Sequence, residues 1–306
     1  MKTAFLFPGQ GAQKIGMGKD FYDNYRTFRE FFDHASDVLN INLKELCFFD
    51  NDNINKTEFT QCAILSVSLG VMRLLIENGV YPACSAGYSL GEYASLVASG
   101  IIDEDDALRI IKVRGMLMAR ESGDGKGGMA AVIGLSNAEV EGVLKNMDNI
   151  GIANYNYDGQ VTISGNMDSL DKAIELLKQK GARRVVKLAV SGPFHSPVLK
   201  KAGDELFKTA LNNTVFHSPR IPYIPNVTGD VLKDGEDVRL LLSRQVYSPV
   251  RWSDSIDTLI KGGYNRFIEV GTGHVLSGFL KKRREEITIL SCDTVEEFKA
   301  CIGGKI

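Results

Sequence analysis

The stretch 129–190 constrains the fold more than any other part of this chain. Its apolar positions alternate between the period of a strand and that of a helix. They give a strand at 129–135, a helix at 137–147, strands at 150–155 and 160–164, a helix at 167–180 and a strand at 183–190. The order is β-α-β-β-α-β, the ferredoxin-like one, complete in about 65 residues. Glycines bound it on both sides, so 127–193 reads as a subdomain inserted into a main domain formed by 1–126 and 194–306. The main domain alternates strands and helices as well. A strand at 3–7 is followed by helices over 20–39, 62–78, 91–99 and 103–121; after the insert come helix 197–211, a Pro-rich run 219–225, helices 236–246 and 253–261, strand 266–270 and a helix near 275–286. Strands separated by helices argue for an α/β domain with a largely parallel sheet.

Composition narrows the function classes. Lys and Arg number 36 against 38 Asp and Glu, a net charge of −2, which gives no general reason to expect a nucleic-acid or membrane-surface binder. The apolar run Thr3–Phe7 ends at Pro8-Gly9, too short for a signal-peptide core. No unbroken apolar run approaches the roughly 18 residues of a membrane span. The five cysteines are scattered, odd in number and without a C-x-x-C pair. Neither a disulfide framework nor a metal site is expected, and a reducing cytoplasm fits best.

The chemistry centres on Gly87-Tyr88-Ser89-Leu90-Gly91, a G-x-S-x-G pattern between a strand and a helix. Flanking glycines permit the tight turn that lifts a serine hydroxyl clear of a sheet, and the helix N-terminus turns its partial positive charge toward an acyl oxyanion. Small residues alone could produce the pattern by accident; the strand before it and the helix after it strengthen it. A serine nucleophile needs a base, and four histidines are available. His34 sits in an amphipathic helix and reads as a partly buried structural residue. His217 lies in a polar loop and reads as solvated. His274 opens a helix and is the alternative base. His195, in the loop after the insert, is the first candidate.

At this point a resemblance becomes specific. The strings Phe7-Pro8-Gly9-Gln10-Gly11, Gly87-Tyr88-Ser89-Leu90-Gly91-Glu92-Tyr93, Val113-Arg114-Gly115-Met116-Leu117-Met118 and Phe194-His195-Ser196 follow in the order of the malonyl-CoA:acyl carrier protein transacylase family. Gly128–Gly134, Pro225-Asn226-Val227, Gln245–Trp252 and Glu269-Val270-Gly271 continue it, so the chain resembles that family over nearly its whole length. The resemblance implies an α/β-hydrolase-like main domain with a ferredoxin-like insert. It also implies ping-pong transfer of malonyl from malonyl-CoA to the phosphopantetheine thiol of an acyl carrier protein, with Ser89 acylated and His195 as base. Backbone N–H groups of Gln10 and Leu90 would form the oxyanion hole, and the Gln245 carbonyl would orient the histidine. Arg114 would grip the malonyl carboxylate, with Met118, Asn156 and Phe194 lining the pocket. No cofactor is implied, and a monomer is expected.

The family usually has histidine before the nucleophile; this chain has Tyr88, which is larger and no base at neutral pH. The basic groups Arg183, Arg184 and Lys187, and Lys281 to Arg284, either steer an acidic carrier or, for the second group, stabilise a helix C-terminus. Service to a polyketide assembly line is an alternative to fatty acid biosynthesis. A serine thioesterase is a further one, opposed by the position of His195, since more than 100 residues follow it.

Overall fold

A computed structural model describes residues 1–303 except Asp124, Lys126, Ser191 and Arg284. The expected boundary at Lys126, part of the glycine-rich run before it and the last residue of the basic run 281–284 lie outside the described residues, as does 304–306 at the end of the chain. The strands are β1 (Thr3–Phe7), β2 (Cys84–Gly87), β3 (Gly127–Ile133), β4 (Ile150–Tyr157), β5 (Gln160–Asn166), β6 (Arg184–Lys187), β7 (Tyr223–Ile224), β8 (Arg266–Val270) and β9 (Thr288–Cys292). Packing divides the chain into two compact units. One comprises Met1–Gly115, Thr214–Ile224 and Thr258–Ile306, the other Met116–Asn213 and Pro225–Asp257.

The first unit holds a parallel sheet in the order β7-β2-β1-β8-β9. All five residues of the central strand β1 are buried, as its unbroken apolar run requires of a strand covered on both faces. Phe7 pairs with Gly87 in register, so the loops that follow β1 and β2 leave the sheet side by side. Carboxyl ends of parallel strands are where α/β proteins place their sites. The helix Thr57–Glu77 is long and apolar enough to cross a membrane by length and composition, but most of it is buried inside the protein, as befits a core helix.

Phe28 stacks on Phe21 at 5.6 Å and on Phe32 at 5.4 Å between ring centroids, and Phe32 stacks on Phe48 at 5.5 Å. Gly70 admits this cluster, since a Cβ there would meet the Phe28 ring at 2.6 Å. The single helix expected over 20–39 is two, Lys19–Asn24 and Arg26–Leu39, because Tyr25 takes an extended backbone between them. The strand β9 and the helix Val295–Cys301 were not anticipated, and the helix expected over 275–286 stops at Leu280.

The second unit is built on an antiparallel sheet in the order β4-β5-β3-β6, carrying the β-α-β-β-α-β sequence with helices Asn137–Leu144 and Met167–Gln179. Val132, Val140, Ile163, Leu170 and Leu177 close its core. Ser136 and Glu139 form a capping box at the start of the first helix, and Asn166 caps the second, which is why both begin where they do. The strand expected over 183–190 is only Arg184–Lys187, a short edge strand with exposed basic ends. The unit also takes in residues 116–126, 188–213 and 225–257.

Removing the centre of the aromatic stack should be costly. Phe28→Ala is expected to lower stability by about 3–5 kcal/mol in urea unfolding; an unchanged midpoint would mean that the cluster does not hold this unit together.

Candidate active site

Ser89 stands between β2 and the helix Gly91–Ala98 with a φ of 53°, left-handed for a residue that bears a Cβ. The turn is closed by close approaches that only glycine allows. A Cβ on Gly87 would lie 2.0 Å from the Gly91 carbonyl, and one on Gly91 would lie 2.2 Å from the Phe7 carbonyl oxygen. Leu90, at the head of the helix, is 1% exposed. Its N–H belongs to the first turn, where donors lack partners within the helix. The loop after β1 lies against the elbow, since a Cβ on Gly9 would be 2.6 Å from the Tyr88 carbonyl oxygen. The next residue, Gln10, is anchored by its Nε2 donating to Thr57 Oγ1 at 3.2 Å.

Tyr88 donates its N–H to the Phe7 carbonyl at 2.9 Å, and its ring lies 6.2 Å from that of Phe279. Desolvation pushes its phenol well above the ordinary range. The side chain therefore keeps its proton near neutrality, and its ring fills space over Gly9.

Arg114, on the helix Glu104–Ser122, is 1% exposed. Its Nη2 donates to Ser89 Oγ at 3.2 Å and its Nη1 to Gln61 Oε1 at 2.6 Å, while the guanidinium carbon lies 5.7 Å from the centroid of the Tyr93 ring. Burial lowers its pKa, and Tyr93 and Glu92 oppose that shift; a guanidinium stays charged at any working pH. Glu92 is fully buried and accepts a hydrogen bond from the buried hydroxyl of Tyr223, at the start of β7. This places one cation and one hydrogen-bonded carboxylate in the interior around the elbow.

In the second unit His195 is 5% exposed and has a φ of 55°. Its Nδ1 lies 2.8 Å from the carbonyl oxygen of Gln245, the last residue of the helix Val238–Gln245. Terminal helix carbonyls lack intrahelical partners and carry the negative end of the dipole. The contact therefore selects the Nδ1–H tautomer and makes Nε2 the nitrogen able to accept a proton. The loop holding the ring is itself pinned. Ser196 Oγ donates to the Pro193 carbonyl at 2.6 Å, and a Cβ on Gly192 would meet Ser122 at 2.3 Å. His195 forms part of the wall of a cavity of about 640 Å³, together with Leu144, Ile152, Tyr155, Tyr247 and Pro249.

Asn156 is buried on β4, with Nδ2 3.4 Å from Thr162 Oγ1, and Phe194 and Met118 are buried as well. Of the other histidines, His217 is exposed as expected. His34 is not partly buried as expected but exposed, because it lies on the outer face of its helix, where Nε2 pairs with Asp105 at 2.7 Å. His274 is also exposed and pairs with Glu297 at 2.7 Å. Gln61 and the Glu92–Tyr223 contact escaped the sequence reading. The available signal for Gln61 was a lone amide at the head of the otherwise apolar run 62–65.

A serine held in a left-handed elbow at the end of a parallel strand, with a buried guanidinium on its hydroxyl, places the chain among α/β proteins of the nucleophile-elbow class. Residues 4–298 match the family described as acyl transferase domain. The malonyl CoA-acyl carrier protein transacylase of Bacillus subtilis (strain 168) is 39% identical over 303 residues, covering 96% of this chain and 95% of that one. The crystal structure of malonyl CoA-acyl carrier protein transacylase from Clostridium perfringens superposes with a TM-score of 0.95 at 37% identity, covering 99% of this chain and 97% of the other. A malonyl-transacylase solved with the holo form of a type II PKS acyl-carrier protein gives a TM-score of 0.95 at 33% identity, with both chains covered completely. The chain belongs to the malonyl CoA-acyl carrier protein transacylase family.

The buried carboxylate yields a stability prediction. Tyr223→Phe removes a hydrogen-bond donor from Glu92 and should cost about 1–3 kcal/mol in urea unfolding. A variant as stable as the parent would show that the contact contributes nothing.

Proposed function

We propose that this chain transfers malonyl from malonyl-CoA to the phosphopantetheine thiol of an acyl carrier protein, through an acyl-enzyme on Ser89, in the service of fatty acid biosynthesis. The observation that carries the reading is the Arg114 guanidinium, buried and 3.2 Å from Ser89 Oγ. A malonyl group differs from acetyl by a terminal carboxylate, and burying that charge without a cation would cost several kcal/mol. A planar guanidinium answers it with two parallel hydrogen bonds.

In this reading Ser89 Oγ attacks the thioester, His195 takes its proton and later activates the incoming thiol, and the N–H groups of Gln10 and Leu90 hold the oxyanion. The Gln245 carbonyl sets the histidine tautomer. Met118, Asn156 and Phe194 shape the acyl site. Arg183 and Arg184 are exposed at the β6 edge and would steer an acidic carrier. Lys187 on the same strand is paired with Asp171 at 2.5 Å. The protein acts as a cytoplasmic monomer in this account, with residues 127–193 as an insert in a hydrolase-like domain. The malonyl-transacylase solved with a type II PKS carrier favours a second reading, the same transfer serving a polyketide synthase.

Intact-mass measurement tests the nucleophile. Wild type incubated with malonyl-CoA should gain one malonyl mass and Ser89→Ala none; a malonylated Ser89→Ala protein would place the nucleophile elsewhere. For the base, His195→Ala should slow both acylation and discharge on the order of a hundredfold. His274→Ala should leave both nearly unchanged, and the opposite pattern would exchange the two roles.

A further inference from the structure

All five cysteines are buried and reduced. Burial pushes the thiols of Cys47 and Cys62 up to about 12 and that of Cys84 to about 11, so these three behave as inert core residues. Cys292 and Cys301 are arranged differently. Cys292 ends β9 and Cys301 ends the helix Val295–Cys301, and their sulfurs are 2.9 Å apart. That is well inside van der Waals contact for two sulfur atoms and less than 1 Å short of closure to a bond of roughly 2.05 Å.

The chain between them is held in place. Thr294 Oγ1 accepts the Glu297 N–H at 3.3 Å, and Glu297 Oε2 accepts the Asp293 N–H at 2.9 Å, fixing the turn from strand to helix. Arg266 Nη2 donates to the Cys301 carbonyl at 2.6 Å and secures the helix end on β8. The thiols are ordered too: Cys292 donates to the Cys301 sulfur, and Cys301 donates to the Ser291 carbonyl at 3.4 Å. The hydrogen bond from Cys292 pulls the Cys301 thiol below its ordinary range, so Cys301 is the sulfur that ionises first.

We propose that Cys292 and Cys301 are a modification site, converted by a two-electron thiol oxidant into an intrachain disulfide that a reductant reopens. With an azo oxidant such as diamide, the Cys301 thiolate adds to one nitrogen of the N=N bond while the other nitrogen takes a proton. The Cys292 sulfur then attacks Cys301, the S–N bond breaks, and the oxidant leaves as a hydrazine that has gained two electrons and two protons. Both residues are at most 2% exposed, so reagent reaches them by local opening of the helix Val295–Cys301, a seven-residue element. Oxidation should therefore be slow in the folded protein and faster in mild urea. Once formed, the bond ties the edge strand β9 to that helix and restricts the unfolded chain.

The test is to treat the full-length protein with diamide, remove the reagent, and count thiols in denaturant. Five should fall to three, and dithiothreitol should restore five. Trypsin cuts after Lys299, between the two cysteines, so non-reducing peptide mapping should find the peptide bearing Cys292 joined to that bearing Cys301. The oxidised protein should melt a few degrees higher than the reduced one, and Cys301→Ala should keep all its remaining thiols under the same treatment. Five thiols surviving diamide in wild type, a link to another cysteine, or a pair still lost in Cys301→Ala would overturn the proposal. The mapping on wild type stands even if the variant folds poorly.

Discussion

The interior of the first unit is organised around a buried cation, Arg114. A guanidinium that is 1% exposed has given up its hydration, a loss that amounts to several kcal/mol unless the protein replaces it. The replacements come from separate parts of the chain: Gln61 from the core helix, Ser89 from the elbow, the Tyr93 ring from the helix after it, and the field of Glu92, itself steadied by Tyr223 on β7. Each of these segments must be in place before the cation is tolerable, so the charge acts as a check on the assembly of the unit. The arrangement also leaves a cation beside the serine hydroxyl. Structural necessity and the proposed recognition of a carboxylate thus meet in one side chain.

Backbone strain tells a parallel story. Among the described residues, four other than glycine have a positive φ, and two of them are Ser89 and His195, the pair that the family resemblance singles out. Such conformations cost about 1–3 kcal/mol and persist where the surroundings over-determine them. At Ser89 the surroundings are Gly87 and Gly91, whose missing side chains let the turn close onto β1. At His195 they are Gly192 and the Gln245 carbonyl at the end of the helix Val238–Gln245. Both side chains are aimed by backbone that is held rigid, which suits groups that must be positioned in advance.

Much of this was legible in the sequence. The periodicity of 129–190 gave every element of the antiparallel sheet in order, because alternating and helical patterns are local signals. The elbow was legible because its glycines answer to steric demands at fixed spacing. Lone strands and broken helices were not: nothing in the apolar pattern of 20–39 reveals that Tyr25 is extended, and β9 offers five residues whose place is set by pairing with β8. The partners of Arg114 were hidden for a similar reason. Gln61 lies 53 residues away from it along the chain, and Tyr223, which bonds the Glu92 carboxylate, lies 131 residues from that partner, so only the fold brings these groups together. The exposure of His34 is hidden as well, because an amphipathic pattern does not say which side of its boundary a histidine takes.

In the proposed function Arg114 selects for a carboxylated acyl group. The most direct measurement of that selection is the ratio of transfer rates from malonyl-CoA and acetyl-CoA to a carrier protein, in wild type and in Arg114→Ala, with thermal melts to confirm folding. Truncating one partner of a buried charge pair should weaken malonyl transfer by roughly 2–4 kcal/mol, about 30- to 700-fold, while acetyl transfer holds or rises. Lysine at the same position should restore only part of the preference, since it keeps the charge but loses the two-point grip. A ratio unchanged by Arg114→Ala, or a wild type with no preference for malonyl, would show that Arg114 does not select the acyl group.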